Sequence, residues 1–282
     1  WYRQGMEGAM LQTVQKAAQV LRLFTPRQPE WGVTEVAAAL AIPKSGAHAL
    51  LRTLAAEGLL QRTPNGRYRL GWSLFELSQT LLDSSALLRA ARPVMERLVA
   101  GWGETTHLAV LVDGQVLYVE KLQGDRALEI VLSGVGKRLP AHCSGVGKVL
   151  LAHQPWETVL QIVQRTGLVS FTPNTIRTVE QLREELERVR QQGFAYDQEE
   201  VMVGLCCAAA PIYDESGQVI AAMSLSVPAY RFYPNRQRLT TAIVDAARRV
   251  SEELGYYQEA WPWENGKQSR SRSSELATSA PT

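Results

Sequence analysis

The run Cys143-Ser144-Gly145-Val146-Gly147-Lys148 invites a phosphate-loop reading. Such a loop needs a glycine five residues before its second glycine, and a hydroxyl after the lysine to reach Mg²⁺. His142 and Val149 occupy those positions, so the reading fails. Gly134 and Gly136 are followed by Leu139 where a dinucleotide-binding turn needs a third glycine. His142, Cys143 and Cys207 could meet in space, but none stands at a recognised metal-ligand spacing. A Cys–His nucleophile is equally unsupported, because a cysteine in an apolar strand such as Cys207 is more often a buried small hydrophobe than a thiolate. No metal, no cofactor and no catalytic residue is therefore expected, and the chain does not read as an enzyme.

What stands out instead is a set of small polar residues in apolar strands. Ser224 and Ser226 alternate in AAMSLSVP, and a period of two puts both hydroxyls on one face of a sheet. Cys207 lies in the preceding strand, with Asp197 just upstream. Buried hydroxyls need partners. Either they bond to nearby backbone, the commoner outcome, or they line a pocket for a small polar or anionic ligand. In the second case the N–H groups of Gly145 and Val146, at a helix start, are the anion donors.

A second kind of chemistry sits near the N-terminus. Residues 32–71 read GVTEVAAALAIPKSGAHALLRTLAAEGLLQRTPNGRYRLG. Thr34 can cap a short helix through Leu40, and Pro43 suits the start of the next. That helix runs from Lys44 to Glu57 with Ala47, Leu50, Leu51, Leu54 and Ala55 at helical spacing, and Gly58 fits a left-handed cap. Asn65-Gly66 then marks a hairpin lined by Arg62, Arg67 and Arg69. Two helices and a basic wing in this order outline a winged helix-turn-helix that reads the major groove of double-stranded DNA. Charge agrees. Nine basic against four acidic residues through residue 75 leave +5 there, out of +2 for all 282 residues, so the remainder carries −3.

The elements that must position these groups follow in order. Thr13–Phe24 has helical spacing, and Pro26 and Pro29 end it. Trp72–Ala91 is a long apolar helical run, either a core helix or a connector that pairs with its counterpart in a second subunit. Pro93 opens another helix through Trp102. Thr105–Val112 and Gln115–Leu122 are strands around Asp113-Gly114, and Leu128–Leu132 is a further strand. A short helix spans Ser144–His153, and Thr178-x-x-Gln181 is a capping box for a helix ending at Gly193. Strands Leu205–Tyr213 and Gln218–Val227 flank the turn Asp214–Gly217, and a last helix covers Leu239–Gly255. The expected organisation is a leader or expression remnant over residues 1–12, a winged helix-turn-helix over 13–75 and a helical linker over 76–91. An α+β domain with an antiparallel sheet follows over 92–258, and a disordered Ser/Arg-rich tail over 259–282. Three cysteines, one pair adjacent, suit a reducing cytoplasm. No apolar run reaches membrane-spanning length, and no membrane partner is expected.

The segments IPKSGAHALLRTL, EGLLQRTPNGRYRLG, LPAHCSGVGKVLLA and GFAYDQEEVMVGLCCAAAPIYDESGQVIAAMSLSVP carry a resemblance. In order and spacing they resemble the IclR family of bacterial transcription regulators over residues 13–257. The resemblance implies an N-terminal winged helix-turn-helix and a C-terminal effector-binding domain with a GAF/PAS-like sheet. It also implies a homodimer on DNA, in some members a dimer of dimers. In members that bind small carboxylates, ligand oxygens meet helix-start amides, an Asp, a Cys and two Ser. Those positions correspond here to Gly145, Val146, Asp197, Cys207, Ser224 and Ser226, with Leu128, Val131 and Leu139 as the apolar wall. The family's recognition helix usually carries Thr, Val and Arg where this chain has Gly46, Ala47 and Ala49. DNA contact then falls on Lys44, Ser45, His48, Arg52 and the wing arginines.

The expectation is a cytoplasmic, DNA-binding regulator whose operator affinity is set by a small metabolite, a carboxylate, bound in the C-terminal domain. Two rival readings are a redox sensor built on Cys206 and Cys207, and an enzyme acting on a small thiol or acyl substrate.

Overall fold

The computed structural model describes residues 11–128 and 133–258. They fall into two compact units that part between Ser85 and Ala86.

The first unit opens with α1 (Gln12–Leu23), α2 (Val33–Ala39) and α3 (Lys44–Ala56). Two short strands, β1 (Leu60–Arg62) and β2 (Tyr68–Leu70), form an antiparallel hairpin with Leu60 opposite Leu70. Gly66 sits at φ +80°, a conformation that favours glycine at the turn, and Gly58 at φ +72° ends α3 as expected. Trp31 pairs its backbone with Tyr68, adding a third short rung beside the wing. One face of each helix closes a small core of Val20, Phe24, Val36, Ala47, Leu51, Leu54, Leu60 and Tyr68. The cap of α2 differs from expectation. Gly32, not Thr34, is the N-cap, and its N–H donates to Glu35 Oε2 at 2.8 Å. A carboxylate at the first turn also suits the helix dipole.

The long helix expected over Trp72–Ala91 is two helices, α4 (Ser73–Ser84) and α5 (Ala86–Trp102). Ser85 between them is extended, at φ −73° and ψ 108°. The Ser84 hydroxyl donates back to the Leu81 carbonyl, the local competition by which serine weakens a helix end. Pro93, expected to start a helix, lies inside α5. The backbone bond it forfeits is offset by burying Ala91, Val94, Met95 and Leu98.

The second unit is built on a six-stranded sheet in the order β5-β4-β3-β8-β7-β6, every neighbouring pair antiparallel. The strands are β3 (Thr105–Val112), β4 (Gln115–Leu122), β5 (Arg138–Pro140), β6 (Ala195–Gln198), β7 (Leu205–Tyr213) and β8 (Val219–Pro228). Asp113 and Gly114, both at positive φ, make the β3–β4 turn. Helices α5 and α9 (Ala229–Glu253) cover one face, packing Met95, Phe232, Ile243 and Val250 against Leu108, Met223 and Leu225. The other face meets α6 (Gly145–Ala152), α7 (Trp156–Thr166) and α8 (Val179–Gln192), through Val149, Leu150, Val159 and Leu182. Thr178 caps α8 through the Gln181 N–H at 3.2 Å. The return bond of the expected capping box goes one residue earlier, from the Arg177 N–H to Gln181 Oε1.

Helix α7 was not expected from the sequence, and α9 begins ten residues before the expected Leu239, with Pro234 inside it. Of the strand expected at Leu128–Leu132, Leu128 is outside any strand and residues 129–132 lie outside the described residues. The tail from 259 lies outside them too.

Candidate effector cavity and DNA-facing surface

The sheet register assembles the cavity. Ser226 on β8 stands opposite Thr105 on one side and Cys207 on the other, and Cys207 stands opposite Asp197. One polar row, Thr105–Ser226–Cys207–Asp197, thus crosses four strands. The next row on that face is His107–Ser224–Ala209–Ala195. Over these rows lies the start of α6. Ser144 is its N-cap, accepting from the Gly147 N–H at 3.2 Å. The glycines serve close approach. A Cβ on Gly145 would stand 2.8 Å from Cys207 Sγ and 3.1 Å from Ala209 Cβ, and one on Gly147 would stand 2.1 Å from the Ala141 oxygen.

The resulting cleft holds about 380 Å³, counting its open mouth. Of the positions expected to bind an effector, Leu139, Val146, Asp197, Cys207, Ser224 and Ser226 line it. Gly145 lies behind it against Cys207. Leu128 is not in the lining and is 43% exposed. Val131 lies outside the described residues. Sequence reasoning missed His107, Tyr118, Ser133, Ser144, Val201 and Leu205, which complete the wall. The period-two pattern of THLAVL could have placed His107 on a sheet face. It could not have shown that this face is the one Ser224 shares.

The electrostatics are those of a buried, weakly charged site. Among the described residues the lining contains no lysine or arginine. Burial, reinforced by the Glu200 carboxylate, pushes Asp197 up to about 7, although Asp197 Oδ1 accepts the Glu200 N–H at 2.7 Å. Burial, helped by the charge of Lys121, holds His107 down to about 3, so its ring is neutral. Its Nε2 lies 2.8 Å from Ser133 Oγ, its Nδ1 lies 3.4 Å from Ser226 Oγ, and its ring centre is 5.1 Å from that of Tyr118. Lys148, the lysine of the glycine-rich helix, turns away from the cavity. Its Nζ is 2.5 Å from Glu200 Oε1 and 3.1 Å from Glu185 Oε1, which ties α6 to α8 and to the loop after β6.

The cysteines do not suit nucleophilic or redox chemistry. Cys206 packs toward α9 and Cys207 toward α6, as adjacent strand residues must. Burial raises all three thiols, Cys206 to about 11 and Cys143 and Cys207 further still. The Cys143 thiol donates to the Pro140 carbonyl and His142 Nε2 lies 3.0 Å from the Val169 carbonyl, so the two are not a catalytic pair. Among the described residues no group of three His, Cys, Asp or Glu is placed to hold a metal.

In the first unit, α3 buries Ala47, Leu51 and Leu54 and exposes Lys44, Ser45, His48 and Arg52 along the opposite face. On the wing, Arg62 is exposed and Arg69 donates to Gln61 Oε1 at 3.0 Å. Arg67 is engaged within the module. It lies 2.6 Å from Glu35 Oε2 and 3.2 Å from Glu35 Oε1, donates to the Glu30 carbonyl at 2.9 Å, and stands 3.8 Å from the Glu30 carboxylate.

Residues 79–252 match the family described as "Bacterial transcriptional regulator IclR C-terminal", and residues 13–64 match the "IclR helix-turn-helix domain". The chain belongs to the IclR family. Among relatives of this IclR-family chain is the HTH-type transcriptional regulator XynR of Escherichia coli K12, 35% identical over 77% of this chain and 86% of that one. Another is the HTH-type transcriptional repressor AllR of Salmonella typhi, 34% identical over 90% and 96%. A crystal structure of an IclR homolog from Microbacterium hydrocarbonoxydans, complexed with 4-hydroxybenzoate, superposes with a TM-score of 0.73. It is 30% identical, over 86% of this chain and 98% of that one. This chain is accordingly an IclR-type transcriptional regulator with a DNA-binding helix-turn-helix and an effector-binding C-terminal domain. Among the described residues no helix is long and apolar enough to cross a membrane.

Proposed function

We propose that the effector is a small carboxylate and that it binds among Val146, Asp197, Cys207, Ser224 and Ser226. The observation that carries this reading is the convergence, in one buried cleft, of two strand serines, a carboxyl raised toward neutrality and the start of α6. Helix-start amides favour an anion. Asp197 in its neutral form donates to a carboxylate instead of repelling it. With no cation among the described lining residues, the ligand is small and its affinity modest, on the order of micromolar.

The regulator acts as a cytoplasmic homodimer on double-stranded DNA. Helix α4 supports the dimer, since none of its residues is buried and Phe75, Leu77 and Leu81 are exposed, as is Trp72 at its N-cap. Lys44, Ser45, His48 and Arg52 of α3 enter the major groove, and Arg62 and Arg69 of the wing meet phosphate. Arg67 braces the wing against α2. The effector favours one arrangement of the subunits, and its differential affinity for the two states sets the change in operator affinity.

The deciding experiment is thermal unfolding of the full chain against a panel of small carboxylates, beside Ser224→Ala/Ser226→Ala. A ligand of the folded state raises the midpoint once its concentration exceeds Kd. A rise in the wild type that the double variant lacks supports the reading, and no rise with any acid refutes it. For the DNA face, Arg62→Ala/Arg69→Ala is expected to lower the magnitude of the slope of log K against log[salt] by about 2, close to one for each phosphate no longer neutralised. An unchanged slope removes the wing.

A further inference from the structure

His107 stands in this cavity as neither a charged group nor an apolar wall. Its imidazole is 3% exposed and has a serine hydroxyl on each nitrogen, Ser133 on Nε2 and Ser226 on Nδ1. A neutral imidazole offers one donor and one acceptor, and both hydroxyls rotate. The Ser133–His107–Ser226 chain therefore either donates to or accepts from a third partner. Beside it, Thr105 lies directly across from Ser226 on the same sheet face, and its buried hydroxyl has no hydrogen-bond partner. The lining at this end of the cavity thus presents amphoteric neutral groups, His107 with Ser133 and Ser226, and among the described residues no cation; Thr105 itself is outside the lining. Lys121, paired across the sheet with His107, donates to the Ser133 carbonyl at 3.0 Å and is not part of the lining.

We propose that His107 is a specificity-determining residue: with Ser133 on its Nε2 side it receives a neutral hydroxyl or carbonyl at the far end of the effector and turns away a second carboxylate, while Ser226 on its Nδ1 side stays with the first carboxylate. The inference rests on the reading that this cleft binds a carboxylate, and it adds what the rest of the ligand must be. A hydroxyl both gives and takes a hydrogen bond and finds both roles here. A second carboxylate only accepts, and would be buried without a counter-charge. The same burial that keeps the ring uncharged, helped by the charge of Lys121, prevents His107 from becoming that counter-charge. A methyl end leaves the polar groups without a ligand partner but strands no charge. The order of affinity is therefore hydroxy acid, then plain acid, then diacid.

The test uses two sets of acids that differ only at the far end: propionate, 3-hydroxypropionate and malonate, and benzoate, 4-hydroxybenzoate and terephthalate. Calorimetric titration and midpoint shifts are measured on full-length wild type, His107→Gln, His107→Leu, Ser133→Ala and Ser224→Ala/Ser226→Ala. In the set that fits the cavity, the wild type is expected to prefer the hydroxy acid over the diacid by roughly 100-fold or more. His107→Gln, neutral and still polar, retains the order. His107→Leu binds the plain acid at least as well as the hydroxy acid, a change in ratio that a general loss of packing does not produce. If His107→Leu does not fold, a reduced hydroxyl preference in Ser133→Ala serves the same purpose. Equal wild-type affinity for hydroxy acid and diacid overturns the proposal, and so does an unchanged ratio in folded His107→Leu, or in Ser133→Ala where that variant takes its place. The carboxylate cleft still stands in either case if Ser224→Ala/Ser226→Ala abolishes every response. No response of the wild type to any of the acids overturns both readings.

Discussion

Replacing Lys148 by Met is the sharpest perturbation of the fold that carries the cavity. The Lys148 side chain is 2% exposed and stands between Glu200, at 2.5 Å, and Glu185, at 3.1 Å. Glu200 Oε2 is buried without a partner, and Oε1 accepts from the Gln198 N–H at 3.3 Å besides Lys148, so the ammonium is the carboxylate's counter-charge. Methionine matches the length of the stem and removes only the charge. Breaking a buried pair by deleting one member costs about 3–5 kcal/mol, because the other charge is left uncompensated. At about 2–4 °C per kcal/mol for a domain of this size, the midpoint falls by about 6–20 °C. The loss also depends on pH. Burial already holds the Glu200 carboxyl above its usual range despite the pull of Lys148, and without the ammonium it rises further. A carboxyl raised in the folded state contributes stability below its unfolded value, and that contribution is lost as pH rises through the folded value. The deficit of Lys148→Met is therefore wider at about pH 8 than at about pH 5. Lys148→Met/Glu200→Gln recovers part of it, since no charge remains stranded at position 200. The assay is thermal unfolding by circular dichroism at the two pH values. A midpoint drop under about 3 °C, or a deficit that does not grow with pH, refutes the account of Lys148 as the counter-charge.

Two further outcomes follow from the same geometry. Burial, then the charge of Glu200, raises Asp197 to about 7, so carboxylate binding is tightest below that pH and weakens as pH rises through it. Asp197→Asn flattens the profile of Kd against pH measured by titration calorimetry, and a profile already flat in the wild type counts against a neutral Asp197. On α4, Leu77 and Leu81 are 60% and 69% exposed, and Leu77→Glu/Leu81→Glu is expected to shift the protein from dimer to monomer in sedimentation velocity with little change in helicity. A dimer that survives both charges moves the interface elsewhere.

Much of this molecule was legible in its residue order, and the reasons are local. Asp113-Gly114 and Asn65-Gly66 announce their turns because positive φ is costly for most other residues. Thr178 and Gly193 bracket α8 because a cap and a left-handed stop have few chemical solutions. Ser224 and Ser226 share a face because a strand repeats every two residues. The basic face of α3 follows from helical period in the same way. Local rules failed where two tendencies competed. The apolar run through Ala91 continues past a serine pair that breaks it, and Pro93 and Pro234 sit inside helices that the buried face holds together.

What only the tertiary structure decided is which faces meet. Strand β3 lies beside β8, more than a hundred residues away in the chain, and that adjacency puts His107 next to Ser224 and Thr105 next to Ser226. Ser133 and Lys148 find their partners, His107 and Glu200, across shorter breaks of 26 and 52 residues that no local rule spans either. Period and turn chemistry act over a few residues and state what each strand offers. The order of strands in the sheet is settled by burying both of its faces at once, and that global constraint turns scattered polar residues into one cavity.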